Sequence, residues 1–155
     1  MLTPASTENA AASTAAPARA TPERWRDVVA YEGLYRVSSW GRVRSVSRVI
    51  IDKHNRTRTV SGRILAQFPW SGRGERRYMA VRLFRHGKRE TKPVHHLVLE
   101  AFVGPRPPGT LGCHFDDDHE NNDLGNLRWD TPKSNVQDRI RNGARKHALA
   151  VIAGW

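Results

Sequence analysis

The chain has 155 residues, room for one domain or two very small ones. With 26 Lys and Arg against 15 Asp and Glu, its formal charge is +11, which favours a polyanionic partner, nucleic acid ahead of an acidic membrane surface. The single cysteine, Cys113, excludes an internal disulfide framework or a cysteine-rich zinc site, and no apolar run is long enough to span a membrane.

Residues 1–22 are rich in Ala, Thr, Ser and Pro. They lack the charged start and apolar core of a secretory signal and read as a disordered tail. Order is expected from Trp25. Tyr35, Val37, Val43 and Val46 are the apolar pegs of a β-hairpin that turns at Ser38-Ser39-Trp40-Gly41. Arg42 and Arg44 share one face, opposite Val43. Residues 49–63 read as a β-connection with a basic tip. Ile64 to Gln67 and Tyr78 to Arg85 read as further strands, the second turning at His86-Gly87-Lys88. From Arg56 to Lys92, eleven Lys or Arg stand against two acids, so the basic surplus lies in this half. Trp70 and Tyr78 flank a basic loop, more in keeping with core packing than with stacking on a base.

Pro93 to Val103 predicts a helix, with Val94, Leu97, Val98, Ala101 and Phe102 as its buried stripe and His95 at the edge. Gly104-Pro105 stops it. Leu111 to Phe115 is a short apolar run that enters a loop of Asp, Asn and Gly, and Asn126 to Trp129 is a second run. Thr131-Pro132 then offers a hydroxyl N-cap followed by proline at the first helical position. Val136 and Ile140 are expected to face a core, Asn135, Arg139 and Asn142 lie near one another on another face, and Gly143 is placed to end the helix. The order is therefore strand, polar loop, strand, helix.

His114, Asn126 and Asn135 are the side chains in this unit that can act together. A histidine can take a proton from water, and amide oxygens with carboxylates can hold a hard cation. Singly, each reads as solvated surface. As a set on a hairpin packed against a helix, which would bring 114 and 135 together, they read as a reaction site. The seven acids between Glu100 and Asp130 stand against Arg106 and Arg128, a local acidity that a divalent cation would offset.

This stretch resembles the HNH endonuclease family, in the branch with Asn at the third position. The shared pattern stands here as Cys113-His114, Asp116, Asp118, Asn121-Asn122, Asn126-Leu127, Trp129, Thr131 and Asn135. The resemblance implies that His114 is the general base, that Asn126 braces the hairpin or orients His114, and that Asn135 is a metal ligand. Some relatives carry a metal-binding Asp where Cys113 stands, and a thiol is a soft ligand poorly matched to Mg²⁺. Asp116, or a water, is the candidate to stand in for the missing carboxylate. Asp117 replaces a turn glycine, at a cost where φ must be positive. The run from Val94 to Phe102 is also similar to the family, with His96 where an Arg is usual. His95 is expected to fix the helix to the hairpin by a hydrogen bond, in support of the site. Trp25 to Ser45 resembles a modular motif found before the catalytic unit in phage and intron-encoded HNH nucleases, which implies a small sheet that helps hold DNA.

The expected fold is α+β: a disordered tail (1–22), a basic antiparallel β-module (23–92), a helix with a ββα-metal unit (93–147) and a C-terminal tail (148–155). The expected function is hydrolysis of DNA phosphodiester bonds with one divalent ion, Mg²⁺ with Mn²⁺ as the alternative. Its ligands would come from Asn135, Asp116 and Cys113. Double-stranded DNA is the expected partner, with contacts from Arg36, Arg42, Arg44, Arg76, Arg77 and Arg139. No membrane or stable protein partner is implied, and the site of action is the host cell interior. The competing reading is an HNH-derived DNA-binding protein of weak or absent catalysis, which Cys113 keeps open.

Overall fold

The computed structural model describes residues 21–71 and 78–152, apart from the side chains of residues 145–148 and 151–152. Arg76 and Arg77, nearly all of the N-terminal tail and the last three residues lie outside the described residues.

The fold is α+β, with antiparallel sheets and two α-helices. Strands β1 (Trp25–Asp27), β2 (Tyr35–Ser38) and β3 (Val43–Ser45) form one sheet in that order, with Val37 opposite Val43. A separate hairpin follows, β4 (Arg48–Ile51) with β5 (Thr57–Val60). Strands β6 (Phe68–Trp70), β7 (Tyr78–Arg85) and β8 (Lys88–Pro93) make a second three-stranded sheet. Helix α1 (Val94–Phe102) leads to the hairpin of β9 (Leu111–His114) and β10 (Leu127–Asp130), and α2 (Pro132–Ile152) closes the fold.

One core joins the two halves. Val28, Tyr35, Val37 and Val43 from the first sheet pack in the same cluster as Val81 and Leu83 of β7, Val94, Leu97, Val98 and Leu99 of α1, and Leu127 of β10. Burial of this apolar surface is the main force holding α1 between the sheets. The stripe predicted for α1 is wider than expected. His95 and Leu99 are buried with it, while Ala101 and Phe102 are only half-buried.

Several expectations are corrected. The strand expected at 64–67 falls at Phe68–Trp70, and Ile64 makes only an isolated bridge to Arg44. Lys88–Pro93 forms an edge strand that its charged sequence hides. Gly143 does not end α2, which continues to Ile152. Gly143 is absent from the positive-φ glycines, so it makes no left-handed cap, and the alanine-rich segment after it favours helix. The inner face of α2 is also not the apolar one. Val136 and Ile140 are exposed, while Asp138 is buried and paired with Arg128 and Arg141.

Candidate active site

Strand alternation places the side chains of β9. Gly112 faces α1 so closely that a Cβ there would lie 2.8 Å from His95 Cδ2 and 3.0 Å from His96 Cδ2. His114, two residues on, shares that face, and its ring centroid is 5.2 Å from that of His95. Cys113 points the other way. It is buried, its thiol reaches the Leu111 carbonyl at 3.6 Å, and it pairs in register with Arg128. Arg128 reaches Asp138 on α2, so Cys113 shares the side of the hairpin that meets α2.

His114 lies in a cluster of rings. His119 is 5.6 Å from it, and Tyr78 stacks 6.2 Å away at an interplanar angle of 19°. Tyr78 also touches His95 and His119, each at 4.8 Å. Burial lowers the pKa of His114, opposed in part by its hydrogen bond with Asn122. His95 is pushed down to about 2 by burial, with further cost from His96, His114 and His119. Both rings are thus neutral near pH 7, the state a proton acceptor needs. His95 Nδ1 has no hydrogen-bond partner among the described residues. Its ring, packed against Gly112, fastens α1 to the hairpin in place of the expected hydrogen bond.

The loop after His114 is self-bonded. Asn126 Nδ2 donates to Asp116 Oδ1 (2.8 Å) and to the Asn121 carbonyl (2.9 Å), and Asn126 Oδ1 accepts from Asp116 N (3.2 Å). Asp116 Oδ1 also accepts from Asp118 N, and Oδ2 from Asn121 Nδ2 at 2.7 Å. Burial works to raise the carboxyl pKa of Asp116, but these bonds hold it below the usual value. Asp117 has φ +61°, the left-handed geometry anticipated where it replaces glycine. The 3₁₀ turn Leu124–Asn126 ends the loop, and Asp123 caps it by accepting from Gly125 N.

Thr131 caps α2, its Oγ1 accepting from Ser134 N at 3.3 Å. Asn135 is half-buried on the helical face shared by Asp138 and Asn142. Both of those reach the hairpin, Asn142 Nδ2 donating to the Phe115 carbonyl at 2.7 Å. His114 thus lies on the α1 side of the hairpin and the Asp138–Asn142 face of α2 meets its other side, and the expected meeting of His114 with Asn135 is not among the contacts of the described residues. Among the described residues, no three His, Cys, Asp or Glu side chains converge to hold a metal ion. Cys113 is buried and soft, and Asp116 turns both oxygens into its own loop. The donor set is too small for a resident site. It would suit a hard divalent cation that takes few protein ligands.

The expected DNA-contacting arginines differ in their commitments. Arg36 pairs with Asp27 at 3.1 Å, and Arg42 pairs with Glu23. Arg44 lies 4.5 Å over the Trp25 ring and has no ion pair among the described residues. Arg139 is exposed on α2. Asn122, His119 and Tyr78 are site neighbours to which the sequence alone assigns no role there. The one available signal was the Asn121-Asn122 doublet eight residues beyond His114.

Residues 23–84 match the NUMOD4 motif, and residues 92–137 match the HNH endonuclease family. The chain is 34% identical over 119 residues to the DNA endonuclease I-HmuI of Bacillus phage SP01, covering 77% of this chain and 59% of that protein. It therefore spans about three-fifths of that relative's length. A solved structure described as DNA binding and cleavage by the HNH homing endonuclease I-HmuI superposes with a TM-score of 0.54. That match has 29% identity and covers 84% of this chain and 67% of the other.

Proposed function

Since the chain joins a NUMOD4 motif to an HNH endonuclease domain, we propose that it is a phage- or homing-type endonuclease that hydrolyses phosphodiester bonds of double-stranded DNA inside the host cell. The observation that carries this reading is His114, a buried neutral imidazole at a strand end beside an Asn- and Asp-rich loop and hydrogen-bonded to Asn122.

His114 takes the proton from the attacking water. Asn126 acts through Asp116, holding the loop that walls one side of His114. Asn135 is the side chain left to hold a divalent cation, Mg²⁺ or Mn²⁺, with Asp116 as brace and Cys113 as packing in preference to ligands. When bound, that cation supplies charge stabilisation at the phosphoryl oxygen. Arg44 and Arg139 offer charge to flanking phosphates, with Arg36 and Arg42 drawn away by their carboxylates. The basic sheets (23–92) serve as the DNA-holding part and residues 93–147 as the cleaving part.

Supercoiled plasmid incubated with the protein and Mg²⁺ or Mn²⁺ tests this. Nicked or linear product supports the nuclease. Intact plasmid with retarded mobility supports the second reading, a DNA-binding protein of weak or absent catalysis. Cys113 and the self-bonded Asp116 favour that second reading, because they leave a cation short of carboxylates.

A further inference from the structure

A chain of contacts that ends at His114 begins in the first sheet. Arg24 N donates to Ser39 Oγ at 3.1 Å, and Ser39 N donates to the Arg24 carbonyl at 2.8 Å. The buried hydroxyl of Ser38 accepts from Trp40 N and Arg42 N at 3.3 and 3.0 Å. In the turn so formed, Gly41 has φ +78°, and a Cβ on it would sit 2.6 Å from Asn122 Cβ and 2.8 Å from the Asn122 carbonyl oxygen. Only glycine meets both conditions. Two residues beyond Asn122, Leu124 N donates to the Ser39 carbonyl at 2.8 Å. The segment carrying Asn122 is therefore clamped to the β2–β3 turn.

Asn122 is 4% exposed. Its Nδ2 donates to the Glu120 carbonyl at 3.2 Å, which leaves Oδ1 facing His114 Nε2, also at 3.2 Å. An amide oxygen can only accept, so Nε2 must carry a hydrogen. In the neutral ring the basic lone pair is then on Nδ1. Without that acceptor the two tautomers would exchange, and only a fraction of molecules would present Nδ1 as the base.

We infer that Asn122 is a positioning residue that fixes His114 in the Nε2–H tautomer, and that the Ser38–Gly41 turn of the N-terminal module holds Asn122 in place. The consequence for cleavage rests on the nuclease reading, whereas the tautomer does not. The first module is thus part of the reaction centre, although it is far from it in sequence.

The test uses the full chain, ¹⁵N-labelled at histidine, as wild type, Asn122→Leu, Asn122→Asp and Gly41→Ala. Leu fills similar space without an acceptor, and Asp restores one. Imidazole ¹⁵N shifts, read at a pH where the rings are neutral, report the tautomer with no need for metal or cleavage. Plasmid cleavage with Mg²⁺ reports kcat and KM. Wild type and Asn122→Asp are expected to protonate Nε2, and Asn122→Leu to show a mixture. The Leu variant is expected to lose about 10- to 100-fold in kcat with KM nearly unchanged. Asn122→Asp should recover most of that loss, and Gly41→Ala should resemble the Leu variant. If the Leu variant does not fold by circular dichroism, Asn122→Ala takes its place. A folded Leu or Ala variant that keeps a pure Nε2–H tautomer, or an Asp variant that keeps the tautomer without recovering kcat, overturns the inference. If wild type cuts no DNA, the tautomer comparison still decides the inference, and the nuclease reading is what fails.

Discussion

Arg128 on β10 and Asp138 on α2 form an ion pair that ties the hairpin to the helix, both side chains being largely buried at 19% and 9% exposure. Arg128 also pairs with Asp130 and lies 3.9 Å over the Phe115 ring, and Asp138 also pairs with Arg141. A polar lock thus occupies the interface where an apolar stripe was expected.

Removing one partner of a buried pair leaves the other charge uncompensated, at a cost of roughly 3–5 kcal/mol. Arg128 keeps Asp130, so Asp138→Ala is expected to destabilise by somewhat less, about 2–3 kcal/mol. Val136→Ala and Ile140→Ala, on the exposed face, should stay within about 0.5 kcal/mol of wild type. Urea denaturation of the three variants checks this. A larger loss at Val136 or Ile140 than at Asp138 would restore the apolar interface.

Acid should destabilise the fold through its buried histidines. His95 has a folded pKa of about 2 against an ordinary 6.5, and His96 and His114 are also lowered, chiefly by burial. Between the two values the unfolded chain binds protons that the folded chain refuses. Stability is therefore complete above about 6.5 and is lost as pH falls below it, with His95 alone contributing about 2 kcal/mol by about pH 5. The urea midpoint should drop between pH 7.5 and 5, and His95→Phe should shrink the drop. Equal midpoints at both pH values would mean that these rings are solvated.

Asp117 adopts φ +61° in the loop after His114. Left-handed geometry is costly for a residue with a Cβ, though Asp tolerates it better than most. Asp117→Gly is expected to raise stability by up to about 1 kcal/mol, partly offset by the added freedom of glycine when unfolded. Thermal melts of the two forms measure it, and a drop in melting temperature would show that the Asp117 side chain holds the loop.

The arginines of the first sheet should be unequal in DNA binding. The slope of log affinity against log salt falls by about 0.9 for each phosphate that a variant no longer neutralises. Arg44→Gln is expected to lower it by about that amount. Arg42→Gln should lower it less, because Glu23 already pairs with Arg42. Fluorescence anisotropy across a salt series reads both slopes, and the opposite ranking would place Arg42 on the DNA.

Where the sequence was informative, apolar periodicity carried the signal. Val81 and Leu83 marked β7, the stripe from Val94 marked α1, and Tyr35, Val37 and Val43 marked the first hairpin. Where charge carries the structure, that signal is silent. Lys88–Pro93 is an edge strand with little apolar surface, and the inner face of α2 is set by Asp138. Of the proposed site, His114, Asn126 and Asn135 were legible as a spaced set. The link from Asn122 to His114 was not, because it depends on a turn at Gly41, some eighty residues earlier in the chain. Nor was the bracing role of Asp116, since one Asp in an acidic loop looks like any other until its hydrogen bonds are seen.

The central claim is that His114 is the base of a DNA-cutting site. The most direct test compares wild type with His114→Ala on supercoiled plasmid in Mg²⁺ or Mn²⁺, with affinity measured in parallel and folding checked by circular dichroism. The account predicts nicked or linear product from wild type. It predicts a loss of about 10²–10⁴ in rate for the variant with DNA affinity nearly unchanged. A folded His114→Ala protein that cleaves like wild type, or a wild-type protein that binds plasmid and never cuts it, would contradict the claim.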